Sequence, residues 1–145
     1  MRLRKIWLLC NLVCIIPGAF AQQFIHPGVL HSEKSLERIK RLVDQKAQPA
    51  YGSYEILAKL PEARADYQMK GPFEIISRDG KYGYTKGPSE RDFNSAYYNA
   101  LLWKITGKKA HADKSMEIIR AYARTVRQIP PTNDAPCGIA GIYTG

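Results

Sequence analysis

Between Arg91 and Val126 the chain reads RDFNSAYYNALLWKITGKKAHADKSMEIIRAYARTV, two helical patterns that meet at Gly107. A glycine after a periodic run ends a helix readily, because without a Cβ it adopts the left-handed backbone of a C-terminal cap. Lys108 and Lys109 then stand where the helix dipole is negative. In the first pattern Phe93, Ala96, Tyr97, Ala100, Leu101 and Lys104 fall on or near one face, with Tyr98, Leu102 and Ile105 beside it. In the second, Ala112, Met116, Ile119, Ala123 and Val126 recur at three- and four-residue spacing, and Pro130-Pro131 closes the run. Ser89 followed by Asp92 reads as the cap of the first helix. A helical hairpin has two faces to bury, so this stretch predicts an all-α protein of antiparallel helical hairpins. With Gly145 so soon after it, the hairpin reads as the front of a larger helical protein.

A second, shorter pair of helices is predicted upstream. Ser32 offers an N-cap, and Leu36, Ile39, Leu42 and Val43 recur at helical spacing to about Gln45. Pro49 suits the first turn of the next helix, which turns Tyr54, Leu57, Ala58 and Leu60 inward and stops at Pro61. Helices this short hold in water only against a packed partner.

From Pro61 to Glu90 the composition changes. Gly71-Pro72, Asp79-Gly80, Gly83 and Gly87-Pro88 punctuate a segment in which Tyr67, Phe73, Tyr82 and Tyr84 alternate with Arg78, Lys81 and Lys86. Long irregular segments in compact helical proteins are uncommon and often functional. Aromatic and cationic side chains suit sugar rings and carboxylates. The competing reading is a structural connector whose tyrosines cover helix ends.

The N-terminus reads as an export signal over residues 1–21. Arg2, Arg4 and Lys5 precede an apolar run from Ile6 to Ile16, and Ala19-Phe20-Ala21 matches a signal-peptidase cut before Gln22. The run is too short for a bilayer span, and Pro17-Gly18 closes it. The sequence therefore predicts a periplasmic or secreted chain over residues 22–145, with no membrane span after cleavage. The cut removes Cys10 and Cys14 and leaves Cys137, so no internal disulfide framework is expected and packing must supply stability. It also lowers the formal net charge from +9 to +6, with 19 Lys plus Arg against 13 Asp plus Glu. A moderate positive excess on an exported chain is compatible with an anionic polysaccharide, a membrane surface or simply a solvated helical surface, and export makes nucleic acid the least favoured partner.

The entry His26-Pro27-Gly28-Val29-Leu30-His31, the Leu36/Ile39 helix, the run Ala96 to Trp103, Ile105-Thr106-Gly107 and the Ala112-Asp113-Lys114 opening together resemble the alginate lyase family. The resemblance covers about residues 24–136. It implies the first part of an incomplete α/α toroid and cleavage of an acidic, uronate-containing polysaccharide by β-elimination. In that chemistry a cation or amide neutralises the sugar carboxylate, a base takes the C5 proton and a Tyr protonates the departing oxygen. No metal or organic cofactor is implied.

The family's catalytic Asn, His, Arg and Tyr lie mostly on later helices, so the resemblance assigns no catalytic residue here. Of the mature chain's histidines, His26 and His31 read as turn or capping residues and His111 as a surface residue. The substrate-binding candidates are Arg78, Lys81, Tyr82, Tyr84, Lys86 and Arg91, in or beside the long segment, with Asn133 and Asp134 after the fourth helix. The alternative function is an exported helical-repeat module that binds glycan or protein without catalysis. Against it, the stretches Ser32 to Leu60 and Asp92 to Arg127 share no fixed repeat.

Overall fold

The computed structural model describes residues 30–130. The export signal, His26, Asn133, Asp134 and Cys137 lie outside the described residues. Four α-helices, α1 (Glu33–Asp44), α2 (Ala50–Lys59), α3 (Lys86–Thr106) and α4 (Lys109–Thr125), carry the chain, with no strand among the described residues. The protein is all-α over this span, and no described helix is long and apolar enough to cross a membrane.

The shorter pair forms where local chemistry dictates. Ser32 is extended, and its hydroxyl accepts the Ser35 N–H at 3.2 Å while its carbonyl takes the Ser35 and Leu36 N–H groups. The α1 stripe then buries Leu36 and Val43. Lys46 follows the helix in the left-handed region at φ 53, a conformation unusual for a residue with a Cβ. In α2 no residue is fully buried; Tyr54 and Leu57 are half-buried, and Ala58 faces solvent rather than inward as expected.

Helix α3 starts at Lys86, three residues before Ser89, the first residue of the expected capping pair, which puts both Ser89 and Asp92 inside it. They cap nothing. A 3₁₀ helix over Gly80–Thr85 runs directly into α3, and the Lys86 N–H bonds to the Gly83 carbonyl, so the first turn inherits its partners from the preceding turn. Both side chains are instead fully buried. At the other end Gly107 adopts the left-handed cap, φ 72, with its N–H on the Trp103 carbonyl at 2.7 Å.

The rotation of α4 differs from the apolar pattern. Met116 and Ile119 are each 45% exposed and Ala123 is also exposed, whereas Ser115, Ile118 and Tyr122 are buried. Two polar anchors on the inward face explain the choice: the Tyr122 hydroxyl donates to Asp92 at 2.7 Å, and His111 pairs with Asn99. Residues 111, 115, 118 and 122 lie on one helical face, so satisfying both anchors turns the Met116–Ile119 stripe outward. The helix also ends at Thr125, before Pro130, because the following residues pair with the long segment. Arg127 N–H donates to the Glu74 carbonyl at 2.8 Å and Ile76 N–H to that of Gln128 at 3.2 Å.

The segment from Pro61 to Thr85 sends Ala63, Tyr67 and Ile76 into the buried interior. Tyr67, Ile76, Ala96, Ile118 and Tyr122 form the central cluster, flanked by Met69, Phe73, Phe93, Val126 and Ile129. The Asp92 carboxylate ties it together. One oxygen accepts the Tyr67 hydroxyl and the Lys70 N–H, each at 2.8 Å, and the other accepts Tyr122 and the Gly71 N–H, at 2.7 and 2.8 Å. A buried carboxylate is tolerable only when its lone pairs are satisfied, and here α3, α4 and the segment all contribute donors. Gly71 approaches so closely that a Cβ there would overlap the Tyr122 hydroxyl.

Candidate functional site

The polar anchor on the opposite flank of the α3–α4 pair opens onto solvent. Asn99 is 0% exposed, and its Nδ2 donates to the Ser95 carbonyl at 2.9 Å and lies 3.2 and 3.3 Å from the carbonyls of Glu62 and Arg64. Its Oδ1 stands 2.7 Å from Nδ1 of His111, the residue two places into α4. His111 is half-buried and lines a cleft of about 420 Å³ with Tyr54 from α2, Arg64 and Asp66 from the segment after Pro61, and Lys108 from the interhelical turn. Ala58, Ala63, Ala65, Leu102 and Thr106 complete the walls. The other ring nitrogen, Nε2, has no hydrogen-bond partner among the described residues.

The electrostatics favour a neutral imidazole. Burial, and then the nearby Lys108 charge, hold His111 below its ordinary value. Arg64 and Asp66 form a two-pronged pair at 2.8 and 2.7 Å at the cleft rim. The hydrogen bond from Arg64 lowers the Asp66 carboxyl and raises the guanidinium. Both are solvent-exposed, so the pair is readily opened by a competing anion. A neutral imidazole, a phenol and cations around one cleft supply a base, an acid and carboxylate partners.

A second cleft, of about 380 Å³, shares Arg64 and Asp66 with the first and adds Pro61, Glu62, Tyr67, Gln68, Lys70 and Arg91. Tyr67 belongs to the core: burial, together with the bond to Asp92, pushes its hydroxyl well above the ordinary tyrosine value. Arg91 is therefore the expected substrate-binding residue that reaches a described cleft. Of the others, Arg78, Lys81, Tyr82, Tyr84 and Lys86 line neither cleft, and Asn133 and Asp134 lie outside the described residues. Lys81 sits over the Tyr82 ring at 5.3 Å, Lys86 pairs with Glu90 at 2.9 Å, and Arg78 is exposed. Tyr84 is 67% exposed and packs edge-on against Phe73.

The histidines stand differently from the sequence reading. His31 accepts or donates a bond at 2.8 Å with the Tyr97 hydroxyl on α3 and lies parallel to its ring. His111, expected on the surface, is tethered to a buried amide. Tyr54, His111 and Asn99 were missed because the sequence offers an apolar stripe on α4 that points elsewhere. The signal was the spacing of His111, Ser115, Ile118 and Tyr122, which marks a second face with a polar group at each end.

No family model, no curated protein and no solved structure matches the chain.

Proposed function

We propose that the chain is an exported polysaccharide lyase unit that cleaves an acidic, uronate-containing polysaccharide such as alginate by β-elimination, and that the His111 cleft is where it acts. The observation that carries the reading is the half-buried His111, tied through Nδ1 to Asn99, on a cleft shared with Tyr54, Arg64 and Lys108. Arg64 or Lys108 pairs with the uronate carboxylate and acidifies the C5–H bond. Nε2 of His111 takes the C5 proton; the electron pair of that bond forms the C4–C5 double bond as the C4–O bond breaks. The Tyr54 hydroxyl gives its proton to the departing oxygen. Return of a proton from His111 to Tyr54 through solvent restores both groups. The second cleft, with Lys70 and Arg91 beyond the shared Arg64, takes the neighbouring sugar of a polyanionic chain.

The resemblance in sequence supports a finer architecture: antiparallel hairpins forming the first part of an α/α toroid. In such a fold the exposed Met116, Ile119 and Ala123 stripe is the face against which a following hairpin packs. The same stripe favours the second reading, a non-catalytic exported module that docks a partner through α4. The test is incubation with polyuronate and with a neutral polysaccharide, monitored by the ultraviolet absorbance of a C4–C5 unsaturated uronate. The lyase reading expects absorbance growth with polyuronate alone. Binding of polyuronate without new absorbance would leave the binding module.

A further inference from the structure

We infer that Asn99 is a positioning residue that confines proton exchange by His111 to a single atom, Nε2. The inference rests on the His111 cleft being the acid–base site, but its first test does not. The orientation of the Asn99 amide is fixed by its surroundings. Nδ2 faces the Ser95 hydroxyl at 3.3 Å and three carbonyl oxygens, those of Ser95, Glu62 and Arg64; the carbonyls accept hydrogen bonds and cannot donate them, which decides the assignment. The opposite atom is therefore the oxygen, and it faces Nδ1 of His111 at 2.7 Å. An acceptor at that distance requires the proton on Nδ1. In the neutral ring the lone pair is then on Nε2.

That arrangement serves a base that must also return its proton. The imidazolium carries protons on both nitrogens, so the Nδ1–H bond to Asn99 is the same before and after protonation at Nε2. The ring neither turns nor loses a partner during the cycle. An amide at this place also leaves His111 neutral, whereas a buried carboxylate would stabilise the imidazolium. The charged and titratable groups around the ring are Lys108 on the interhelical turn, Arg64 and Asp66 across the cleft, and Tyr54 on α2. Through the Glu62 and Arg64 carbonyls the same amide ties the opposite wall of the cleft to α3, so the base and the backbone that carries Arg64 are held by one side chain.

The test is nitrogen NMR of the histidine-labelled full chain. The chain has three histidines, and His111→Gln assigns the signal by its loss. Above the titration of His111, the expected spectrum shows one protonated nitrogen, Nδ1, and one bare nitrogen, Nε2. A proton on Nε2, or an averaged mixture of the two forms, would overturn the inference. Asn99→Ala, if circular dichroism shows its helices intact, is expected to give the averaged mixture and at least a tenfold lower kcat on polyuronate, with a smaller change in KM. An Asn99→Ala protein that keeps the pure Nδ1–H form would also overturn it. A single-form spectrum in a wild-type protein without turnover would uphold the positioning role and reject the lyase reading.

Discussion

Replacing Asp92 by alanine should remove a large share of the stability of the chain. The carboxylate is 0% exposed and is the acceptor for four donors: the hydroxyls of Tyr67 and Tyr122 and the backbone N–H groups of Lys70 and Gly71. The two hydroxyls can rotate toward water that enters the cavity. The two N–H groups cannot, because the chain between Tyr67 and Phe73 is packed on the core. An unsatisfied buried donor costs about 1–3 kcal/mol, and bonds to a charged acceptor contribute about 1.5–3 kcal/mol. Allowing for partial rescue by water, the loss is about 3–5 kcal/mol, a large share of the ~5–15 kcal/mol that holds a typical domain. With a urea slope of about 1–3 kcal/mol per molar, the midpoint should fall by roughly 1–5 M. Asp92→Asn keeps one acceptor oxygen and the volume, so it should fall between alanine and wild type. The assay is urea unfolding followed by far-ultraviolet circular dichroism. An alanine variant whose midpoint lies within about 0.5 M of wild type would refute the keystone role of this carboxylate.

Three further outcomes follow, two from the same core and one from the turn after α1. Gly71→Ala places a Cβ against the Tyr122 hydroxyl and should cost about 1–3 kcal/mol in the urea assay, whereas Gly87→Ala meets open space and should cost far less. Tyr67 has a folded-state value raised above its unfolded one, so its contribution is complete below about pH 10 and is lost as pH climbs above that value; Tyr67→Phe should flatten this alkaline decline in thermal unfolding. Lys46→Gly relieves the left-handed strain at φ 53 but adds chain entropy to the unfolded state, so a net gain of up to about 1 kcal/mol is expected by urea unfolding.

How much of this was legible in the sequence varies with what each element answers to. Helix α1 and the Gly107 turn were legible because their determinants are local: a serine cap, a stripe of Leu36 and Val43, a residue free to adopt positive φ. The start of α3 was not, since its first turn is supported by a preceding 3₁₀ helix and not by a side-chain cap. The Ser77 N–H bonds to the Thr85 hydroxyl, which in turn donates to the Tyr82 carbonyl. The rotation of α4 was misread for a stronger reason. Hydrophobic spacing selected Met116, Ile119 and Ala123, but unsatisfied polar groups in a core cost more than an exposed methyl stripe gains. Asp92 and Asn99 therefore dictated which face of α4 turned inward. The candidate cleft inherits that difficulty: Tyr54, Arg64, Lys108 and His111 come from separate elements and converge only once α4 is rotated by its two polar anchors.

The most direct measurement is the release of unsaturated uronate from polyuronate by wild-type protein, His111→Gln and Arg78→Gln, side by side. Arg78 is exposed and lines neither cleft, so its variant should match wild type, while His111→Gln should lose at least a hundredfold in kcat with its helices intact. Equal product from wild type and His111→Gln, or none from wild type, would contradict a lyase site at His111.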